Sequence, residues 1–110
     1  MTRIQDKTAI EIDDHGRVLA EADVEPSDES GLVHIAMSVA GGPVPGGTGA
    51  RLVDAVLDLP EVDKADRLLA TMPLGDTEMI SRVRERSDVV ETRAAGATKL
   101  VEARLRPAHD

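Results

Sequence analysis

Between Gly41 and Leu59 the sequence runs GGPVPGGTGARLVDAVLDL, a glycine-dense loop that follows an apolar run and opens into a helical pattern. The first amides of a helix have no partner within it and sit at the positive end of its dipole. Such a junction can hold an anion, a pyrophosphate for instance. Gly46, Gly47 and Gly49 carry no Cβ, so a ligand can come close to the backbone there. The same glycines also suit a plain connector with tight turns. No Gly-Lys-Ser/Thr follows, which excludes a P-loop, and the glycine spacing differs from the dinucleotide fingerprint. Arg51, in the first helical turn, can reach a bound phosphate or pair with Asp54 or Asp58 on its own helix.

His34 is the histidine with the best setting for proton transfer, since it lies within the apolar run Leu32–Val39. Its plainer reading is a structural histidine on a half-buried strand face. His15 falls in a turn and His109 in the terminal RPAHD, and the three histidines have no metal-ligand spacing. Asp13, Asp14 and His15 are adjacent, so their side chains diverge and turn chemistry explains them. Glu25, Asp28 and Glu29 crowd one loop without the ligand series of a calcium site. Ser27, Ser30, Ser38 and Ser81 lack a nucleophile-elbow context. No metal is expected.

Composition narrows the choices. The chain of 110 residues carries a formal net charge of −8 and has no Phe, Tyr, Trp or Cys. An acidic, aromatic-free chain is a poor match for nucleic acid, which calls for cations or stacking platforms. Without cysteine there is no disulfide and no thiolate chemistry. The start, MTRIQDKTAIEI, has no apolar run long enough for a signal peptide or a span, so a cytoplasmic protein without membrane contact is expected. Residues 1–110 are read as one domain, with a core over 8–105 and a frayed tail at 106–110.

These candidates must be positioned by the elements around them. Thr8–Asp13 alternates as a half-buried strand, Asp14–Arg17 is a turn, and Val18–Val24 alternates again with Val18, Ala20, Ala22 and Val24 on one face. Glu25–Gly31 reads as a loop. Leu32–Val39 is the most continuously apolar of the strands, as in a central strand covered on both faces. The helix after the glycine loop buries Leu52, Val53, Val56 and Leu57 and stops at Leu59, ahead of Pro60. A strand centred on Leu68–Met72 comes next. Asp76 then caps a helix with Glu78 in its first turn and Met79, Ile80 and Val83 as its buried stripe. Asp88–Ala94 and Thr98–Leu105 close the chain as a hairpin. The order is β-β-β-α-β-α-β-β: an α+β fold with a mixed, mostly antiparallel sheet and two packed helices, its third and fourth strands parallel through a helical crossover.

That order, with Val44-Pro45-Gly46-Gly47-Thr48-Gly49 leading into Ala50-Arg51-Leu52-Val53-Asp54-Ala55-Val56, resembles the GNAT superfamily of acyl-CoA N-acyltransferases. The family's loop reads [Q/R]-x-x-G-x-[G/A], and Gly47 and Gly49 fall on its two small positions. The resemblance implies that Gly46, Gly47, Thr48, Gly49 and Ala50 contact the pyrophosphate of acetyl-CoA or another acyl-CoA, with Arg51 beside them. It also implies acyl transfer to an amine, for which His34 is the nominated base. Val44 stands where the family has Gln or Arg, Pro45 has no N–H, and no Tyr is present to serve as the usual acid. The family's first strand and its two following helices find no counterpart before Thr8. The alternative is a non-catalytic interaction or structural module, with a homodimer covering an open sheet edge.

Overall fold

The computed structural model describes residues 8–29, 31–41 and 44–105. Gly42 and Pro43 of the glycine loop, Ser30, and the terminal segment containing His109 lie outside the described residues. The elements are β1 (Thr8–Asp14), β2 (Arg17–Pro26), β3 (Leu32–Val39), α1 (Thr48–Leu57), α2 (Pro60–Asp63), β4 (Arg67–Pro73), α3 (Glu78–Arg86), β5 (Ser87–Ala95) and β6 (Thr98–Leu105). The expected order holds, with one addition. Pro60, which ends the run from α1, is also the first residue of the short α2. Proline suits that position because its missing N–H would have no helical partner there. α1 itself ends at Leu57 and is capped by Asp58, two residues before the expected stop.

All six strands form one sheet in the order β1-β2-β3-β4-β6-β5. β3 and β4 are parallel, and every other neighbour is antiparallel. The parallel pair runs from Leu32 opposite Arg67 to Ala36 opposite Thr71 and stops there. Beyond that point β3 continues against β2 alone, through Val39 opposite Ala20, and β4 continues against β6 alone, through Pro73 opposite Thr98. The carboxyl ends of the two central strands therefore part, each held by its outer neighbour. In open sheets that is where ligands bind, because the following helices begin there.

The core is a single aliphatic cluster. Ala22, Val24, Val33, Ile35, Met37, Leu68, Ala70, Met72, Val101 and Ala103 from the sheet meet Leu52, Val53 and Val56 of α1 and Met79 and Val83 of α3. Both long helices thus cover one face. β3 corrects the expectation of a strand covered on both sides: Val33, Ile35 and Met37 are buried, while His34, Ala36 and Ser38 are exposed. Its continuous apolar run reflects Ala36 at an outward position, not burial of both faces.

Two boundary readings also change. A register shift opposite Ile12 and Asp13 leaves Leu19 unopposed and turns it inward at 2% exposure, whereas Val18, expected on the buried face, is 37% exposed. An extra residue in one strand reverses the inside–outside alternation beyond it. Glu25 belongs to β2, opposite His34, and not to the following loop. That loop is held by Arg67, whose guanidinium pairs with Glu29.

Candidate functional site

The glycine loop turns into α1 at Gly47, the residue preceding the first helical position, with φ 90° and ψ −8°. This left-handed conformation is strained for any residue with a Cβ. The next residue, Thr48, is 2% exposed, and its Oγ1 donates to the carbonyl of Pro45 at 2.7 Å. Its N–H reaches the same carbonyl at 3.3 Å, and the Arg51 N–H starts the helical ladder on the Gly47 carbonyl at 3.0 Å. The described part of the loop is therefore tied to its own backbone, and Gly46, Gly47, Thr48, Gly49, Ala50 and Arg51 stand together at the amino end of α1.

The amides of this turn converge on an anion, and that anion belongs to the chain. The Glu78 carboxylate, at the start of α3, accepts from the Gly47 N–H at 2.7 Å through Oε2 and from the Gly49 N–H at 2.9 Å through Oε1. The Gly47 amide is the strongest influence holding the Glu78 carboxyl below the ordinary glutamate range; burial opposes it, and the Gly49 and Ala50 amides add smaller lowering contributions. Gly49 is required by the same contact. A Cβ built there lies 3.1 Å from Glu78 Oε1, 3.2 Å from Glu78 Cβ and 3.2 Å from Met79 Cγ. Glu78 lies in the first turn of its own helix, as expected, and its carboxylate also caps α1. The N-cap residue of α3 is Thr77, whose side chain makes no capping bond, and not Asp76 as expected; Asp76, one residue earlier, still serves the helix start, its Oδ1 accepting from the Met79 N–H at 2.8 Å.

Further along, α1 and α3 are stitched by charge. Arg82 forks onto Asp54 with both contacts at 2.9 Å, and Arg86 bridges Asp54 at 3.0 Å and Asp58 at 2.9 Å. The Arg82 hydrogen bond is the main reason the Asp54 carboxyl lies below its ordinary range, with Arg86 adding to it. Asp54 and Asp58 are therefore engaged across the helix pair, which corrects the expectation that Arg51 pairs with them. Arg51 is exposed.

The lowered groups give a pH dependence of definite sign. Glu78 and Asp54 hold protons less readily in the folded chain than in the unfolded one, so their stabilisation is complete above about pH 5. It is lost as the pH falls through their depressed folded values, where the unfolded chain binds more protons. Melting temperature followed from neutral to acid pH should therefore fall on acidification, and the fall should be shallower in Glu78→Gln. An identical acid limb in the variant would show that the carboxylate contributes no linkage.

His34 is placed apart from this junction. It is exposed on the sheet face away from the helices, opposite Glu25 on β2 and Leu69 on β4. Counting five strand steps to Val39 puts it about 16 Å back along β3 from the start of the loop. It borders a shallow depression of about 270 Å³ with Asp23, Glu25, Ala36, Leu69, Thr71 and Leu100. Ala36 and Thr71 are the last paired residues before the central strands part. Among the described residues no group of three or more His, Asp or Glu is arranged to hold a metal ion, and no helix is long and apolar enough to cross a membrane.

What sequence reasoning missed is that the Glu78 carboxylate occupies the turn. The available signal was a first-turn acid in a helix packed beside a glycine-led helix, but their partnership spans 31 residues.

No protein-family model matches the chain, and no curated protein matches it. Solved structures do. A ribosomal-protein-alanine N-acetyltransferase from Brucella melitensis aligns with TM-score 0.61 and 15% identity over 89% of this chain and 68% of its own. An N-acetyltransferase from Staphylococcus aureus Mu50 aligns with TM-score 0.62 and 12% identity over 90% and 67%. The yncA protein of Salmonella typhimurium, solved with acetyl-CoA, aligns with TM-score 0.61 and 13% identity over 92% and 65%. At these identities the likeness speaks for the fold. With the strand order, the parallel central pair and the glycine turn into α1, it establishes that this chain has the fold of the GNAT acetyltransferases.

Proposed function

We propose that the chain binds an acyl-CoA at the amino end of α1 and presents the acyl group, between the parted ends of β3 and β4, to an amine. The observation that carries this reading is the glycine turn into α1, with Gly47 and Gly49 amides able to hold anionic oxygens, in a fold like that of acetyltransferases, one of them solved with acetyl-CoA. A turn that already holds one anionic oxygen pair has the donors and the positive field that a pyrophosphate needs. The donor set fits the group once Glu78 has swung away. Arg51, exposed one turn into α1, is placed to add charge to a phosphate.

The acceptor belongs on the bare sheet face. Exposed Glu11, Glu21 and Asp23 make that side of the sheet acidic and attractive to an ammonium-bearing substrate. In the transfer, the amine nitrogen forms a bond to the thioester carbonyl carbon and the carbon–sulfur bond breaks. His34 takes the proton the amine sheds, and the thiolate leaves to be protonated by solvent.

Acetyl-CoA titration followed by amide NMR is the test. Shifts confined to Gly46–Arg51 and to the ends of β3 and β4 are expected. Thiol release with amine acceptors should fall at least tenfold in His34→Ala. Unmoved loop amides at millimolar ligand would end the acyl-CoA reading.

A second reading, a non-catalytic interaction module, is favoured by the Glu78 carboxylate seated in the turn and by the Arg82 and Arg86 bridges that close α1 onto α3. Under it, a partner or second copy covers the sheet. Sedimentation that changes with protein concentration and is insensitive to acetyl-CoA would support this module over the transferase.

A further inference from the structure

We infer that Glu78 is a built-in gate: its carboxylate occupies the Gly47–Gly49 amides in the resting chain and must swing out before a diphosphate group can enter. The inference rests on the acyl-CoA reading above and adds its regulation.

Three features place a movable plug here. The two carboxylate oxygens take one amide each, at 2.7 and 2.9 Å, so the same donors cannot serve a second anion at the same time. Like charge makes the conflict stronger, because a carboxylate left in place would lie against the incoming phosphates. The occupant is also free to leave. Glu78 is exposed, while its neighbour Met79 is fully buried and anchors the first turn of α3.

The rest of the helix pair does not need to move. Met79 stays packed beside Gly49, its N–H stays on Asp76, and Arg82 stays forked onto Asp54. Opening is therefore a side-chain rotation of Glu78 into solvent, a motion of nanoseconds or faster for an exposed residue. Its cost is the exchange of two charge-assisted hydrogen bonds for water. That cost enters directly into the apparent affinity for any anion, since only the open fraction of molecules is competent to bind.

Charge, and not side-chain length, is what the gate works by. Glu78→Gln keeps the length and one acceptor oxygen but removes the negative charge; Glu78→Ala removes the plug altogether. Binding of acetyl-CoA to the wild-type chain and both variants by calorimetry is the experiment, with circular dichroism and the amide spectrum confirming that each variant is folded. Acetyl-CoA should bind Glu78→Ala about tenfold or more tightly than wild type, with Glu78→Gln in between. In the absence of ligand, the Gly47 and Gly49 amide resonances should already be displaced in both variants.

Equal, measurable affinity in wild type and in folded Glu78→Ala would overturn the gate while leaving acyl-CoA binding in place. No binding by either chain, even with the amides freed, would overturn both. Should Glu78→Ala fail to fold, the comparison of Glu78→Gln with wild type decides the matter by the same criteria.

Discussion

Leu52→Ala should lower the free energy of unfolding by about 3 kcal/mol. Leu52 is 0% exposed at the centre of α1, within the cluster that joins this helix to the sheet. Because the chain has no aromatic residue, no large ring is at hand to fill the space that the lost isobutyl group leaves. The cavity penalty should therefore add to the lost transfer energy. Denaturant unfolding, read as a shift in midpoint at constant slope, measures the effect. A loss below about 1 kcal/mol would mean that α1 is not seated on the sheet as described.

Gly49→Val should cost about 2 kcal/mol and unseat Glu78 in the same step. Even a methyl group at this position would lie 3.1–3.2 Å from Glu78 Oε1, Glu78 Cβ and Met79 Cγ. Met79 is fully buried and cannot retreat, whereas the Glu78 carboxylate can. The variant therefore opens the amides by crowding, without removing the charge. Its signature is a displaced Gly47 amide resonance together with a lower melting temperature. A stable variant with an unmoved Gly47 amide would show that the close approach of α1 and α3 is not what holds the carboxylate in place.

Much of this architecture is local chemistry that the residues themselves carry. Ile10 and Ile12 alternate with polar residues and lie half-buried toward the core, as a two-residue period requires. Leu52, Val53, Val56 and Leu57 recur at helical spacing, and all four are buried. The helical patterns between the third, fourth and fifth strands dictated the parallel crossover, because a parallel pair cannot be joined by a short turn. The glycine turn into α1 was readable for the same reason: Gly47 adopts a conformation that suits few other residues.

The inside–outside pattern of β3 was less legible. Ala36 is small and apolar and satisfies either face, so the run Leu32–Val39 does not reveal that its second face is bare. The slip that exposes Val18 and buries Leu19 was equally silent, since it arises from pairing with β1 and not from β2's own residues.

The state of the candidate site was decided by the tertiary fold alone. Local rules gave Glu78 a place in the first turn of its own helix, where an acid suits the dipole. The packing of α3 beside α1 gave that same charge a second helix amino terminus, with two open amides at hydrogen-bond distance. Those partners lie 29 and 31 residues away along the chain, beyond the reach of any period or cap. The residues themselves marked a glycine turn into a helix, open to an anion or to a plain connector; only the approach of two helices set a carboxylate of the chain on its amides.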